Sequence, residues 1–277
     1  MNKIIKEKFP EWTKDLKGYS LCLTDDIDSL FSCIILQNLF NAKIELFYNF
    51  NSLYMVDNYI DDGFLCGVDM DLIEGKCFGN HVTRISKEDA KNEKCGNLNT
   101  ILDVTGQNYT KKYGGSTLLT ILSLYNVDIS ELSEECKLIL LSIDSAYLGY
   151  YYNNYNIKNA NKHYLCNILE FEELYNLQKK YSKADLDNIQ SKYNLKGKIW
   201  INQEGKLTTD IKLEELSKLF NMPFLLPKNT FDLHSNFNNR VTTIDYKIKK
   251  KDQLPASNQG LFSCALTYTN KIKYSTN

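Results

Sequence analysis

With 277 residues, 43% of them hydrophobic and 24% charged, the chain is long enough to bury a sizeable core without disulfides and too apolar for wholesale disorder. Its 33 basic and 34 acidic side chains leave a net charge of −1, which argues against a protein that grips long nucleic acid along its backbone. A short nucleotide or another small phosphoester stays open as a ligand. Eight cysteines without a CxxC pair exclude a zinc ribbon or a thioredoxin-like motif and read as reduced, buried small hydrophobes.

The N-terminal MNKIIKEKFPEW is interrupted by charge and has no signal-peptide core, and no apolar run reaches bilayer length. The chain therefore reads as cytoplasmic, with no membrane partner. Abundant Asn, Lys, Ile and Tyr suit an AT-rich bacterial or phage genome. After a short N-terminal helix, YSLCLT (19–24) predicts a buried strand and SLFSCIILQNLF (29–40) a helix buried on almost every face. Further strands are predicted at 43–50, 64–70, 76–82 and 99–106. Apolar spacing predicts helices over about 116–125 and 131–150, the second carrying Leu132, Cys136, Ile139, Ile143 and Tyr147 on one stripe. The polar segment 151–164 reads as a linker or surface loop leading into a helix near 168–182. From about 195 the pattern changes to a hairpin (KIWINQEGKLTT), a short amphipathic helix (IKLEELSKLF) and paired strands within 240–251 and 261–275.

Strands alternating with helices predict an α/β fold with a mainly parallel sheet flanked by helices. The organisation expected is a metal-binding domain over 1–155, a helical linker over 156–194 and a small α+β domain over 195–277.

The chemical signal is acidic. TDDIDS closes the first strand, where ligands of an open α/β sheet bind. Asp26 and Asp28 stand two apart at that turn. Asp69 and Asp71 follow the third strand, His81 follows the next, and Asp144 sits in the apolar helical stripe, where an unpaired charge is costly. Several carboxylates with one imidazole suit Mn²⁺, or Mg²⁺ with less use of the imidazole. Two such ions can activate water and stabilise the oxyanions of a phosphate ester. Each residue also has a plainer reading. Asp25 or Asp26 can cap the following helix, Asp69 and Asp71 can form a solvated turn, His81 can be structural, and Asp144 can pair with a lysine.

In this arrangement the chain resembles the DHH phosphoesterase family, the RecJ exonuclease and nano-RNase group, over roughly residues 18–150. LTDDIDSLFS resembles the family's first motif, with Asp26 and Asp28 matching its aspartates, Thr24 in place of its histidine and Ser29 at the small residue. GVDMD supplies the second-motif aspartate, Asp69. GNHVT stands for Asp-His-His, as Asn80, His81 and Val82, and GGSTLLTILSLY followed by LLSIDSAY resembles the fourth motif, with Asp144. The resemblance implies one ion held by Asp28, Asp69, His81 and Asp144. It implies a second near Asp26, weakened by Thr24, with Asn80 orienting water or phosphate beside His81. The family's Gly-Gly-Gly-His-like substrate loop has no counterpart in the C-terminal segment.

Two functional readings stand. One is a Mn²⁺-dependent phosphodiesterase acting on short oligonucleotides, cyclic dinucleotides or a small phosphoester, with Asp26, Asn80 and His81 at the reacting centre. The other is a catalytically inactive DHH-like scaffold that binds a nucleotide, nucleic acid or protein partner. The oligomeric state is left open.

No P-loop, GxGxxG, HExxH, GxSxG or EF-hand pattern occurs. Gly114-Gly115-Ser116-Thr117 opens a helix and reads either as a phosphate cradle or as an ordinary cap. KIKKK (247–251) reads as a phosphate contact or a charged edge strand, and YLGYYYNNY (147–155) as a base-stacking surface or packing against the linker. His163 and His234 are expected at the surface.

Overall fold

Four consecutive buried residues, Ser20–Leu23, form β1 at the middle of a seven-stranded sheet in a computed structural model that describes all 277 residues. A short α1 (Lys3–Lys6) precedes β1, and α2 (Ile27–Phe40), β2 (Lys43–Tyr48), β3 (Ser52–Val56) and β4 (Leu65–Val68) follow. Next come β5 (Cys77–Phe78), β6 (Cys95–Gly96), α3 (Leu98–Ile101), α4 (Thr117–Leu124), α5 (Glu134–Ser142) and α6 (Leu148–Tyr151). The rest comprises α7 (Tyr155–Lys162), α8 (Glu172–Lys180), α9 (Lys183–Lys192), β7 (Ile199–Ile201), β8 (Leu207–Thr209) and α10 (Leu213–Phe220). The chain closes with β9 (Phe231–Asn236), β10 (Asn238–Thr243), β11 (Leu261–Tyr268) and β12 (Lys271–Thr276).

The strand order is β6-β5-β4-β1-β2-β3-β9. The first five are mutually parallel, and β3 and β9 extend the edge through antiparallel pairings. Helices cover this mostly parallel sheet, the mixed α/β architecture expected. Ile27 to Leu36 of α2 are all buried, because the helix lies between the sheet and α4. The large core also takes in Leu207, Ile211, Leu216, Phe220, Phe224 and Phe231, with Phe31 in edge contact with Phe220 and Phe224 at 5.0 and 4.5 Å. No helix is long and apolar enough to cross a membrane.

A second sheet, β10-β12-β11, is antiparallel and covers its own small core, which includes Val82, Ile85, Leu266, Ile272 and Tyr274. It docks on the loops that leave the carboxyl ends of β4 and β5. Cys264 N–H donates to the Asp71 carbonyl at 3.0 Å, and Leu266 N–H to the Val82 carbonyl at 2.8 Å.

Several elements differ from the expectation. NTILDVTG is not a strand. Asn97 accepts the N–H of Asn99 and starts α3, while the strand pairing falls before that segment, on Cys95 and Gly96. The helix expected over 131–150 stops at Ser142 and resumes as α6, because Asp144 adopts a left-handed backbone, φ 56°. The 151–164 segment contains α7, capped by the Asn154 side chain. The strands β3 and β9 were not anticipated.

Candidate functional site

β1 has β2 on one side and β4 on the other, both parallel to it, so the connections part there and leave a crevice at the strands' carboxyl ends. Ser29, in the first turn of α2, holds that crevice together. Its Oγ donates to the Val68 carbonyl at 2.7 Å and accepts the Thr24 N–H at 2.8 Å, joining the ends of β4 and β1. Asp26 caps α2 through the Ser29 N–H at 3.3 Å. Asp69 follows β4 directly, with φ 58°. Aspartate tolerates this left-handed region better than most residues, and such positions gather at functional sites.

Asp26, Asp28, Asp69, His81 and Asp144 all line one cavity of about 520 Å³. Asp71 joins them, as do Lys196, Lys198 and Lys273 from the C-terminal third of the chain. Each acidic side chain is held by a different device. The two oxygens of buried Asp28 accept the N–H groups of Thr117 and Leu118, both at 2.8 Å, so this carboxylate sits on the N-terminus of α4. Asp69 Oδ1 accepts the Thr117 hydroxyl at 2.6 Å. Asp144 Oδ2 accepts the Asn80 amide at 2.8 Å, and Gln190 donates to the Ser142 carbonyl at 2.7 Å beneath the same turn. His81 Nδ1 pairs with Asp71 Oδ2 at 2.8 Å, and Asn97 donates both to the other Asp71 oxygen, at 3.0 Å, and to the His81 carbonyl, at 2.8 Å. Gly79 lies against the Asp71 carboxylate and the Met70 carbonyl so closely that a Cβ there would collide with both.

The charges crowd one another. Burial, then the charges of Asp69, Asp144 and Asp26, push the Asp28 carboxyl well above its ordinary range. Burial and the Asp26 charge do the same to Asp69, against the relief given by the Thr117 hydroxyl and by His81. Asp26 is raised by burial, an effect partly offset by Lys198. At His81 burial opposes the charged ring. The bond to Asp71, its charge and those of Asp144 and Asp69 outweigh it and push the ring up to about 9. Lys198 Nζ lies 2.9 Å from Asp25 Oδ1 and 3.7 Å from Asp26 Oδ2.

Asn80 lies behind the cavity rather than on it, buried, donating to Asp144 and to the Gly115 carbonyl. Thr24 is fully buried and its hydroxyl has no hydrogen-bond partner. The N–H groups opening α4 are occupied by Asp28 and by Ser116, so the Gly-Gly-Ser-Thr turn serves as a cap and offers no phosphate cradle. Lys251 of the basic run is buried, paired with Asp89 at 3.1 Å. His163 and His234 are exposed. Asp71 was visible in the sequence only as the second acid of GVDMD. Thr117 was visible only as the end of the Gly-Gly-Ser-Thr turn, and Lys196, Lys198 and Lys273 carried no local signal. The acidic side chains and His81 share the cavity without any three His, Cys, Asp or Glu forming a metal-coordinating group.

Searches of family models, of curated proteins and of solved structures found no match to this chain.

Proposed function

We propose that this chain is a DHH-like phosphoesterase that hydrolyses short oligonucleotides or cyclic dinucleotides with Mn²⁺, or Mg²⁺, in the acidic cavity. The observation that carries this reading is the meeting of Asp26, Asp28, Asp69, His81 and Asp144, with three lysines, in one cavity at the carboxyl ends of a parallel sheet. Carboxylates alone invite only a cation. Carboxylates with lysines suit a cation together with a phosphate.

The donor types suit such an ion, although no three of them are gathered into a coordinating group. Carboxylate oxygens with one imidazole are the ligands Mn²⁺ favours. One oxygen of Asp69 and one of Asp144 carry no protein hydrogen bond. With Nδ1 bonded to Asp71, His81 Nε2 has no protein partner, and an ion bound there would take the place of its proton, the carboxylate–histidine arrangement usual behind metal-binding imidazoles. Burial and the neighbouring acidic charges raise Asp28 and Asp69, and a divalent cation would offset both. Asp28, Asp69, His81 and Asp144 would hold the ion, which when bound supplies Lewis-acid stabilisation of the phosphate oxygens and an acidified water. The chain's own part is positional. Asn80 and Gln190 hold Asp144, Asp71 and Asn97 hold His81, and Lys196, Lys198 and Lys273 offer positive charge to the substrate's phosphate. The order of these residues along the chain, and a C-terminal sheet lying over the strand ends, are in keeping with the DHH resemblance and its smaller C-terminal domain.

One observation favours a second reading, an inactive scaffold that binds its partner. Thr24 stands where the resemblance expects an imidazole, and the Lys198 ammonium already pairs with Asp25 and Asp26, where the resemblance implies a second ion. The test is Mn²⁺-dependent hydrolysis of di- to pentanucleotides and cyclic dinucleotides, with Asp69→Asn as control. Cleavage by the wild type that the variant abolishes supports the enzyme. Nucleotide binding without cleavage at any Mn²⁺ concentration favours the scaffold.

A further inference from the structure

Cys77 of β5 and Cys95 of β6 are direct register partners on neighbouring parallel strands, so their side chains leave the sheet on the same face. The Cys77 thiol donates to Cys95 Sγ at 3.3 Å, and both residues are buried. A strand spacing of about 4.8 Å lies inside the roughly 4.4–6.8 Å between Cα atoms that a disulfide spans. On its other side Cys77 pairs with Gly67, which has no side chain to intervene. Of the eight free cysteines this is the one pair in thiol–thiol contact. Cys22, Cys66, Cys136 and Cys264 turn their thiols to backbone carbonyls instead.

The segment between the two cysteines carries Asn80 and His81 and is fastened at further points. Asn92 donates to the Leu72 and Gly75 carbonyls at 3.1 and 2.8 Å, and Asp89 pairs with Lys251 at 3.1 Å. Its exit is held less firmly. Strand β6 has two residues, lies at the edge of the sheet and pairs with β5 alone. Beside it, Trp12 Nε1 donates to the Lys94 carbonyl at 2.8 Å. So short an edge strand can open locally while the rest of the sheet stays folded. Closed, the thiols are slow to react. The contact with Cys77, and then burial, push the Cys95 thiol well above its ordinary value and keep it from the reactive thiolate form. Opened, Cys95 follows the exposed Glu93 and Lys94 into solvent.

We propose that Cys77 and Cys95 form a reversible disulfide by exchange with a low-molecular-weight disulfide such as oxidised glutathione. When β6 opens, Cys95 gives its proton to solvent and its thiolate attacks one sulfur of the small disulfide. The other half leaves as a thiolate and takes up a proton. Cys77, its proton likewise passed to solvent, then attacks the Cys95 sulfur of the mixed disulfide and expels the second small thiol. Two protein thiols are oxidised to one disulfide, and one small disulfide is reduced to two thiols. The new bond closes a ring across 18 positions and ties the segment that carries His81 to the sheet.

Mass spectrometry of the full chain, kept folded in oxidised glutathione, tests this, with free thiols alkylated in denaturant before digestion. Trypsin cuts after Lys76, Arg84, Lys94 and Lys111, so the disulfide joins the fragments 77–84 and 95–111. The other six of the eight cysteines are alkylated. The melting temperature rises by about 5–10 °C, the scale of closing a ring of this size, and dithiothreitol reverses both changes. Cys95→Ser removes the link and the rise, and its melt without oxidant, alongside reduced wild type, reports that it folds. Should the variant not fold, the wild-type fragments decide. Alkylation of all eight cysteines overturns the proposal, as does a glutathione adduct on Cys95 with no link between the fragments. A link that forms only in denaturant overturns it too, because the folded strands then keep the thiols from bonding. A link that leaves the melting temperature unchanged or lowers it also overturns it, because the bond then does not fit the sheet.

Discussion

Asp69 shows what the acidic cavity costs the protein. Its carboxylate shares the cavity with Asp26, Asp28 and Asp144, and burial with the charges of Asp26 and Asp144 holds it well above the ordinary 3.8. A carboxyl whose folded-state value is raised contributes stability that is full below its ordinary value and is lost as pH rises through the raised one. Asp69→Asn removes the charge, keeps an oxygen for the Thr117 hydroxyl, and suits the left-handed backbone at φ 58°. Without added metal, the variant should melt above wild type by about 2–4 °C at pH 8, the scale of 1 kcal/mol in a chain of this size. The advantage should shrink toward pH 4, where wild-type Asp69 is itself protonated. Thermal melts across that range check both the sign and the trend. The candidate site's principal residues were legible at this scale because each acid or histidine closely follows a strand end or, as with Asp144, puts a charge into an apolar stripe. Asn80 was legible only by its place next to His81. Its role in holding Asp144 rests on a contact across 64 residues, which no local pattern reports.

Asp28 has a second duty at the scale of elements. Helix α4 opens with N–H groups that lack intrahelical partners, and Asp28, from α2, satisfies two of them. Asp28→Ala relieves the crowding but strands both donors in a buried place. The loss should exceed the gain, destabilising the protein by about 1–3 kcal/mol, with a melting shift opposite in sign to that of Asp69→Asn. Equal and positive shifts for the two variants would show that the α4 contact has no stabilising value. The pairing of β1 with α2 was readable because a buried strand and a helix buried all round produce unbroken apolar runs. The break between α5 and α6 was not. Its apolar stripe continues through Ile143 and Tyr147, both buried, while the backbone leaves the helix at extended Ile143 and left-handed Asp144.

Across the whole molecule, the cavity is closed by residues far apart in sequence. Lys196 and Lys198 arrive before β7, and Lys273 arrives on β12 of the antiparallel sheet, which docks onto the loops carrying Asp71 and Val82. This arrangement was hidden in the sequence, since β9 joining β3 and β11 docking on two loops are long-range pairings without a local period. The buried ammonium of Lys251 fastens the same sheet, donating to the Thr83 and Ala90 carbonyls at 3.1 and 2.7 Å and pairing with Asp89. Lys251→Ala leaves Asp89 buried without its cation. It should cost about 3 kcal/mol and speed amide exchange in β11 and β12 more than in β1 and β4. Uniform exchange across both sheets would show that they open as one unit. A cavity built for a divalent cation should take up Mn²⁺ titrated into the protein. Saturable binding that raises the melting temperature of the wild type and is lost in Asp69→Asn is the expected result. Absence of binding to the wild type, or equal binding to both proteins, would contradict it.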